Sequence, residues 1–304
     1  MSVIDLRHAS WLEASARERL AGLLDEASFT EFLGPERREM SPHLELFGLP
    51  RAFDDGVVVG RGRLDGQDVL AAAQEGRFMG GTFGEVSGAK IVGLLRAALV
   101  AGAPRAVLLL LDCGGVRLQE ANAGEMAVSE ILRAIVEARH AGIAVIALVG
   151  GRAGAFGGGG IIAGCCSRIV ISRHGRTGVS GPEVIETNRG VEEFDSRDRA
   201  LVWRITGGRT RSLTGGADRY VRDEISAFRE AAIELVALPA SFDLAAMQAE
   251  QARLRARLRQ DGGSRDATGI WERRGIEEPS GVSDLTEDAF IALHAKEGSV
   301  DDAR

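Results

Sequence analysis

The chain has 304 residues, a formal net charge of −7, 45% hydrophobic residues and 27% charged ones. That balance is ordinary for a soluble globular fold of one large or two small domains. The acid excess, with no long basic run, argues against a nucleic-acid partner, because such binding needs clustered Lys and Arg. Cys113, Cys165 and Cys166 are the only cysteines. They form no Cys-x-x-Cys pair and no even framework, so a reducing, cytoplasmic compartment is expected. The N-terminus lacks a basic segment ahead of an apolar one, so no secretory signal is expected. The apolar stretch 143–171 is broken by Arg152 and by glycines, and two strands joined by a turn fit it better than a membrane span.

In chain order, Ser10 and Glu13 have the spacing of a capping box ahead of an amphipathic run through Leu24. Gly34 to Pro50 reads as a loop. Two strand-like runs follow, split by Asp65-Gly66, a strong hairpin signal. "GRFMGGTFGEVSG" is a glycine-rich turn leading to a helix from about Val86 to Val100. "RAVLLLLDCGG" is a continuous apolar run, as in a strand buried on both faces. The segment from Arg117 to Gly142 reads as a helix with Ile131, Leu132, Ile135 and Val136 on one face. Next come "VIALVG", then "GRAGAFGGGG" with a short apolar helix after it, then "RIVIS" and the punctuated loop "GRTGVSGPEVIE". Strand, glycine turn and helix therefore recur three times, an α/β pattern. The last sixty residues carry a charged helix and a polar tail, and are expected to be peripheral.

Several familiar sites are poor matches. Gly151, Gly154, Gly157 and Gly158 do not make G-x-G-x-x-G, and no acid closes the next strand. "GEVSGAKI" has Ile91 where a P-loop needs Ser or Thr. "GVSGP" nearly meets the hydrolase elbow, but Pro182 replaces its last glycine, and His174 and Asp195 are lone triad partners for Ser180. His8, His43, His140, His174 and His294 are scattered without ligand spacing, so a metal site is not expected. Two glycine turns remain, "DCGGVRLQEA" and "GAFGGGGIIAG", each directly after a buried strand. Either they are tight packing turns, or one N–H from each converges on a single oxygen. The second arrangement suits a thioester carbonyl that becomes an enolate oxygen.

These motifs also carry a resemblance. "FMGGTFGEVSGAK", "GGVRLQEA", "AFGGGGIIAG" and "GVSGPEVIE" occur in the order found in carboxyltransferase domains of the ClpP/crotonase superfamily. The stretches "FDDGVVVGRG" and "GVEEFDSRDRALVWRITGG" resemble the beta subunit of biotin-independent malonate decarboxylases. The four-Cys zinc ribbon that opens one related family is absent, since no Cys precedes Cys113. The resemblance implies an α/β crotonase-like spiral of β-β-α units over residues 1–240, with residues 241–304 as a charged helix and polar tail. It implies oxyanion donors at Gly115-Val116 and Gly157-Gly158, chiefly the N–H groups of Val116 and Gly158. It places Gly80, Gly81, Gly114, Ser180 and Gly181 at the substrate. In hydratases of the superfamily an acid sits where this chain has Ile161, so a hydratase role is disfavoured.

The activity implied is decarboxylation of a malonyl thioester on an acyl carrier protein, giving the acetyl thioester and CO2. No metal, zinc, biotin or other cofactor bound directly to the chain is implied. The substrate would ride on a phosphopantetheine-type arm derived from dephospho-CoA. The implied partners are a homologous gamma-type subunit facing "GVSGPEVIE", the carrier protein, and an alpha-type transferase. Gln119, Glu120, Ser180 and Glu183 are candidate proton donors, although Glu120 also reads as a helix-start carboxylate and Arg117 as half of an ion pair. The alternatives are a biotin-dependent acyl-CoA carboxyltransferase half, a non-catalytic scaffold, and a thioester hydrolase or hydratase.

Overall fold

The computed structural model describes residues 6–48, 56–100, 102–239, 242–264 and 266–298. The proposed domain boundary at 240/241 lies outside them. In chain order, helix α1 (Ala16–Leu23), strand β1 (Thr30–Glu31) and a single helical turn, α2 (Pro42–Glu45), lead into the first hairpin. That hairpin is β2 (Val57–Leu64) and β3 (Gln67–Gln74). It turns at Asp65-Gly66, both with positive φ, as the dipeptide predicts. Then come α3 (Glu85–Ala97), β4 (Ala106–Leu111), α4 (Ala123–His140), β5 (Ala144–Val149), β6 (Ala155–Phe156), α5 (Gly158–Cys165), β7 (Arg168–Ser172) and β8 (Thr177–Gly178). Helices α6 (Pro182–Arg189), α7 (Arg199–Thr206) and α8 (Gly208–Leu213) precede β9 (Arg219–Val221). The chain continues through α9 (Ile225–Val236), α10 (Leu244–Asp261), α11 (Ala267–Arg273) and α12 (Glu287–Gly298).

Seven strands form one sheet in the order β1-β2-β3-β4-β5-β7-β9, and β6 with β8 forms a second small sheet. Pairing is antiparallel from β1 to β3 and parallel from β3 to β9. The β5-β6-α5 and β7-β8-α6 segments are the β-β-α units expected of the crotonase-like fold, which this chain has. The apolar run of β4 is explained by its two faces. Val107, Leu109 and Leu111 enter one core, and Leu108 and Leu110 enter the other. The alternation of a strand sends each neighbour to an opposite layer, so both sets must be apolar.

Three expectations change. The full capping box is Ser15 with Glu18; at Ser10 only half forms, since Ser10 Oγ accepts from Glu13 N–H (3.2 Å) while its hydroxyl donates to Asp223 (2.5 Å). Val136 faces solvent, because the buried face of α4 runs through Val128, Ile131 and Ile135. The C-terminal region is not peripheral throughout. Trp271, Ile276, Val282 and Phe290 are buried in the same core as β4 and β5, so this segment covers apolar surface that would otherwise meet water.

Candidate active site

Three glycine-bearing turns meet at the C-terminal ends of the parallel strands β3, β4 and β5, the edge where open α/β sheets bind ligands. The middle turn is laced to both neighbours. Gly114 N–H donates to the Gly80 carbonyl (2.9 Å), Phe83 N–H to the Gly115 carbonyl (2.9 Å), and Arg117 N–H to the Phe83 carbonyl (2.8 Å). On the other side, Cys113 N–H donates to the Gly154 carbonyl (2.6 Å) and Phe156 N–H to the Cys113 carbonyl (2.9 Å).

Asp112, which closes β4, ties the turns together from below. Its carboxylate accepts from Arg19 Nη1 (2.9 Å) and from Ala153 N–H in the third turn (2.6 Å). Its own N–H donates to Gln74 Oε1 (3.2 Å), and Gln74 Nε2 donates to the Gly81 carbonyl in the first turn (2.9 Å). Arg19 and Asp112 are almost fully buried. A Cβ at Gly151 would strike the Asp112 carboxylate and one at Gly81 the Asp112 carbonyl, so close approach demands glycine there.

The two amides predicted as donors both lack an acceptor among the described residues. Gly115 N–H is taken by the Cys113 sulfur at 3.2 Å. Val116 N–H has no acceptor among the described residues. Gly158 is the first residue of α5, where an N–H has no partner within the helix. Gly157 before it has φ 55° and ψ −125°, the first central position of a type II′ turn, which favours glycine. A Cβ on Gly157 would lie 3.5 Å from the Gly115 Cα, so the two turns stack against each other. Phe156 on β6 pairs with Gly178 on β8, and a Cβ at Gly160 would strike the Gly178 carbonyl. That brings the Ser180-Gly181 loop beside α5, with Gly181 capping α6. Gly80, Gly81, Gly114, Gly115, Val116, Gly157, Gly158, Ser180 and Gly181 thus lie on turns along one edge.

The remaining candidates separate. Glu120 is fully buried, pairs with Arg117 at 2.8 Å, and accepts from Glu85 N–H at the start of α3 (2.6 Å). It holds turns together and is not offered to a substrate. Gln119 and Glu183 are exposed. No hydrogen bond joins Ser180, His174 and Asp195 among the described residues. Burial pushes the Cys113 thiol up to about 12, so it stays protonated beside the turn it braces. Among the described residues, no three His, Cys, Asp or Glu residues gather as a metal site, and no helix is long and apolar enough to cross a membrane. Sequence reasoning missed Asp112 and Arg19. A lone acid closing an apolar strand was a signal for Asp112; the arginine left none.

The carboxyl transferase domain model matches residues 13–253. The chain belongs to the carboxyl transferase family. It is 38% identical, over 95% of its length and 96% of the relative's, to a malonyl-S-ACP:biotin-protein carboxyltransferase of Malonomonas rubra. Against a solved Pseudomonas malonate decarboxylase hetero-tetramer in complex with malonate, it aligns at TM-score 0.79 with 44% identity, covering 87% of this chain and 97% of that one. The resemblance to malonate decarboxylase subunits therefore holds along nearly the whole fold. The methylmalonyl-CoA carboxyltransferase 12S subunit of Propionibacterium freudenreichii is 34% identical over 180 residues, and this chain spans only 33% of it.

Proposed function

We propose that the chain is the beta-type subunit of a malonate decarboxylase, and that it cleaves the malonyl thioester carried by an acyl carrier protein. The observation that carries this reading is the stacking of the Gly115 and Gly157 turns, with Val116 and Gly158 N–H groups left without acceptors among the described residues. When the C–C bond to the carboxylate breaks, its electron pair moves onto the α-carbon and the thioester oxygen, and CO2 departs. Two fixed N–H groups at that oxygen favour the enolate over the neutral carbonyl. The enolate then takes a proton at carbon, giving the acetyl thioester. The braced turns keep the donors in place before charge develops, so little reorganisation is needed. Cys113 supports Val116 as donor over Gly115, because it already occupies the Gly115 N–H.

The reading includes a substrate arm of phosphopantetheine type, a gamma-type partner subunit, the carrier protein, an alpha-type transferase and a cytoplasmic setting. The hetero-tetrameric relative supports heteromeric partners. Exposed Leu118, Met126, Ile161, Val179 and Val184 on elements flanking the turns support one as well. Ile161 in place of an acid supports chemistry that does not position water.

Proline is well tolerated at the first helical position and has no N–H. Gly158→Pro therefore deletes one proposed donor, and Val128→Ala makes room where a Cβ at Gly158 would strike Val128. The double variant is expected to lower kcat for malonyl thioester by about 100- to 1,000-fold relative to Val128→Ala alone. Equal kcat values in the two would refute the oxyanion role. A second reading, carboxyl transfer to a biotin protein, is favoured by the Malonomonas rubra relative. It shares the bond-breaking step and differs in the CO2 acceptor. Decarboxylation that proceeds undiminished without a biotin protein and in the presence of avidin supports the first reading; strict dependence on one supports the second.

A further inference from the structure

Two arginines beside this edge lack an acid partner. The Arg211 side chain on α8 makes no hydrogen bond or ion pair among the described residues, and its Nε is fully enclosed. Arg176, just before β8, also has an enclosed Nε without an acceptor, and its one side-chain hydrogen bond goes to the Arg152 carbonyl. Burial pushes both guanidinium groups below the ordinary arginine range. For Arg211 burial is the sole cause. For Arg176 the more distant charges of Asp112 and Glu183 oppose it in part. A mostly buried cation with no partner, as the Arg211 guanidinium is, is costly, and the cost is relieved when an anion reaches it.

Arg176 and Gly178 flank Thr177, so they share a side of β8. A Cβ at Gly178 would lie 3.6 Å from Arg211 Nη2 and 3.6 Å from Phe156 Cδ1. Arg176 Cζ lies 5.7 Å from the centre of the Phe156 ring and 4.4 Å from that of Trp203. Arg211 therefore stands at the bare face of Gly178, while Arg176 lies over Phe156 and Trp203. Phe156 is the residue directly before Gly157-Gly158.

We infer that Arg211 forms an anion subsite at Gly178 that takes a carboxylate or phosphate of the thioester substrate. This rests on the thioester reading above. A guanidinium presents a planar fork of N–H donors that matches either group. The sources are the malonyl carboxylate, one carbon beyond the thioester carbonyl, and a phosphate on the carrier arm. If the ligand is the carboxylate, the contact is lost when CO2 leaves, so the subsite separates malonyl substrate from acetyl product.

The test is equilibrium titration of the assembled protein with malonate, and separately with inorganic phosphate. Arg211→Leu is expected to weaken the anion that binds by at least tenfold. Arg211→Lys, which keeps the charge without the fork, is expected to fall between. Gly178→Ala adds a Cβ at ordinary contact distances and should fold normally, yet weaken binding severalfold by narrowing the space before Arg211. Malonate bound tightly and phosphate weakly assigns the carboxylate; the reverse order assigns the arm phosphate. Failure of the wild-type protein to bind either anion, or unchanged binding in Arg211→Leu, overturns the subsite. The Gly158→Pro, Val128→Ala variant separates the two ideas. It should lose turnover while still binding the anion, so retained turnover would count against the enolate reading and leave the subsite standing.

Discussion

At the residue scale, the buried charges of the site do mechanical work. Arg117 with Glu120 and Arg19 with Asp112 are both almost fully enclosed, and each carboxylate also accepts a backbone N–H from a second segment. Such pairs add little net stability, but they fix geometry because removing one partner strands the other. The neighbouring thiol gives a pH signature. Cys113 is held neutral up to about 12 in the folded protein, whereas an unfolded cysteine ionises near about 8.5. Below that lower value both states keep the proton and the contribution is fully present. Above it the unfolded state binds fewer protons, so stability falls as pH rises toward 12. The urea midpoint is expected to drop between pH 8.5 and 10.5, at up to about 1.4 kcal/mol per pH unit from this thiol. Cys113→Ala should flatten the slope, with Cys166 contributing a remainder of the same sign. Identical slopes in the two proteins would rule out this assignment.

At the element scale, the glycine turns are tied to one another, whereas α10 buries none of its residues. The 80–84, 112–117 and 150–157 segments are cross-linked by backbone bonds, so their amides cannot drift independently. Helix α10 is the opposite case. None of its 18 residues is buried, and Leu244, Met247, Leu254 and Leu258 face solvent. An isolated helix of this length is marginal in water, and most helices in proteins draw their stability from a buried face. Its amides are expected to exchange hydrogen orders of magnitude faster than those of α4 in the chain alone. Hydrogen-exchange mass spectrometry reads this directly, and equal protection of the two helices would contradict it.

At the scale of the whole molecule, the edge that carries the glycine turns is bordered by exposed apolar residues. The three turns end at a surface where Met126 and Ile161 are exposed on the helices that begin beside them. Large exposed apolar residues around a built site mark a docking face. Ile161→Glu is expected to reduce recovery of a gamma-type partner at least tenfold in co-expression, while the urea midpoint of the isolated chain shifts little. Full recovery of the partner would show that the face lies elsewhere.

The sequence by itself determined the alternation of strands and helices, the hairpin at Asp65-Gly66, and the glycine turns at the strand ends. These depend on local rules: strand faces buried on two sides must be apolar, and backbone at positive φ calls for glycine or a few polar residues. Only the tertiary structure decided that Asp112 meets Arg19 across 93 positions, that Ser15 caps α1, and that Trp271 and Phe290 complete the core. It alone placed Arg211 beside Gly178 without an acid. Those contacts join segments far apart in the chain, where burial and close packing choose the neighbour and no local pattern records it.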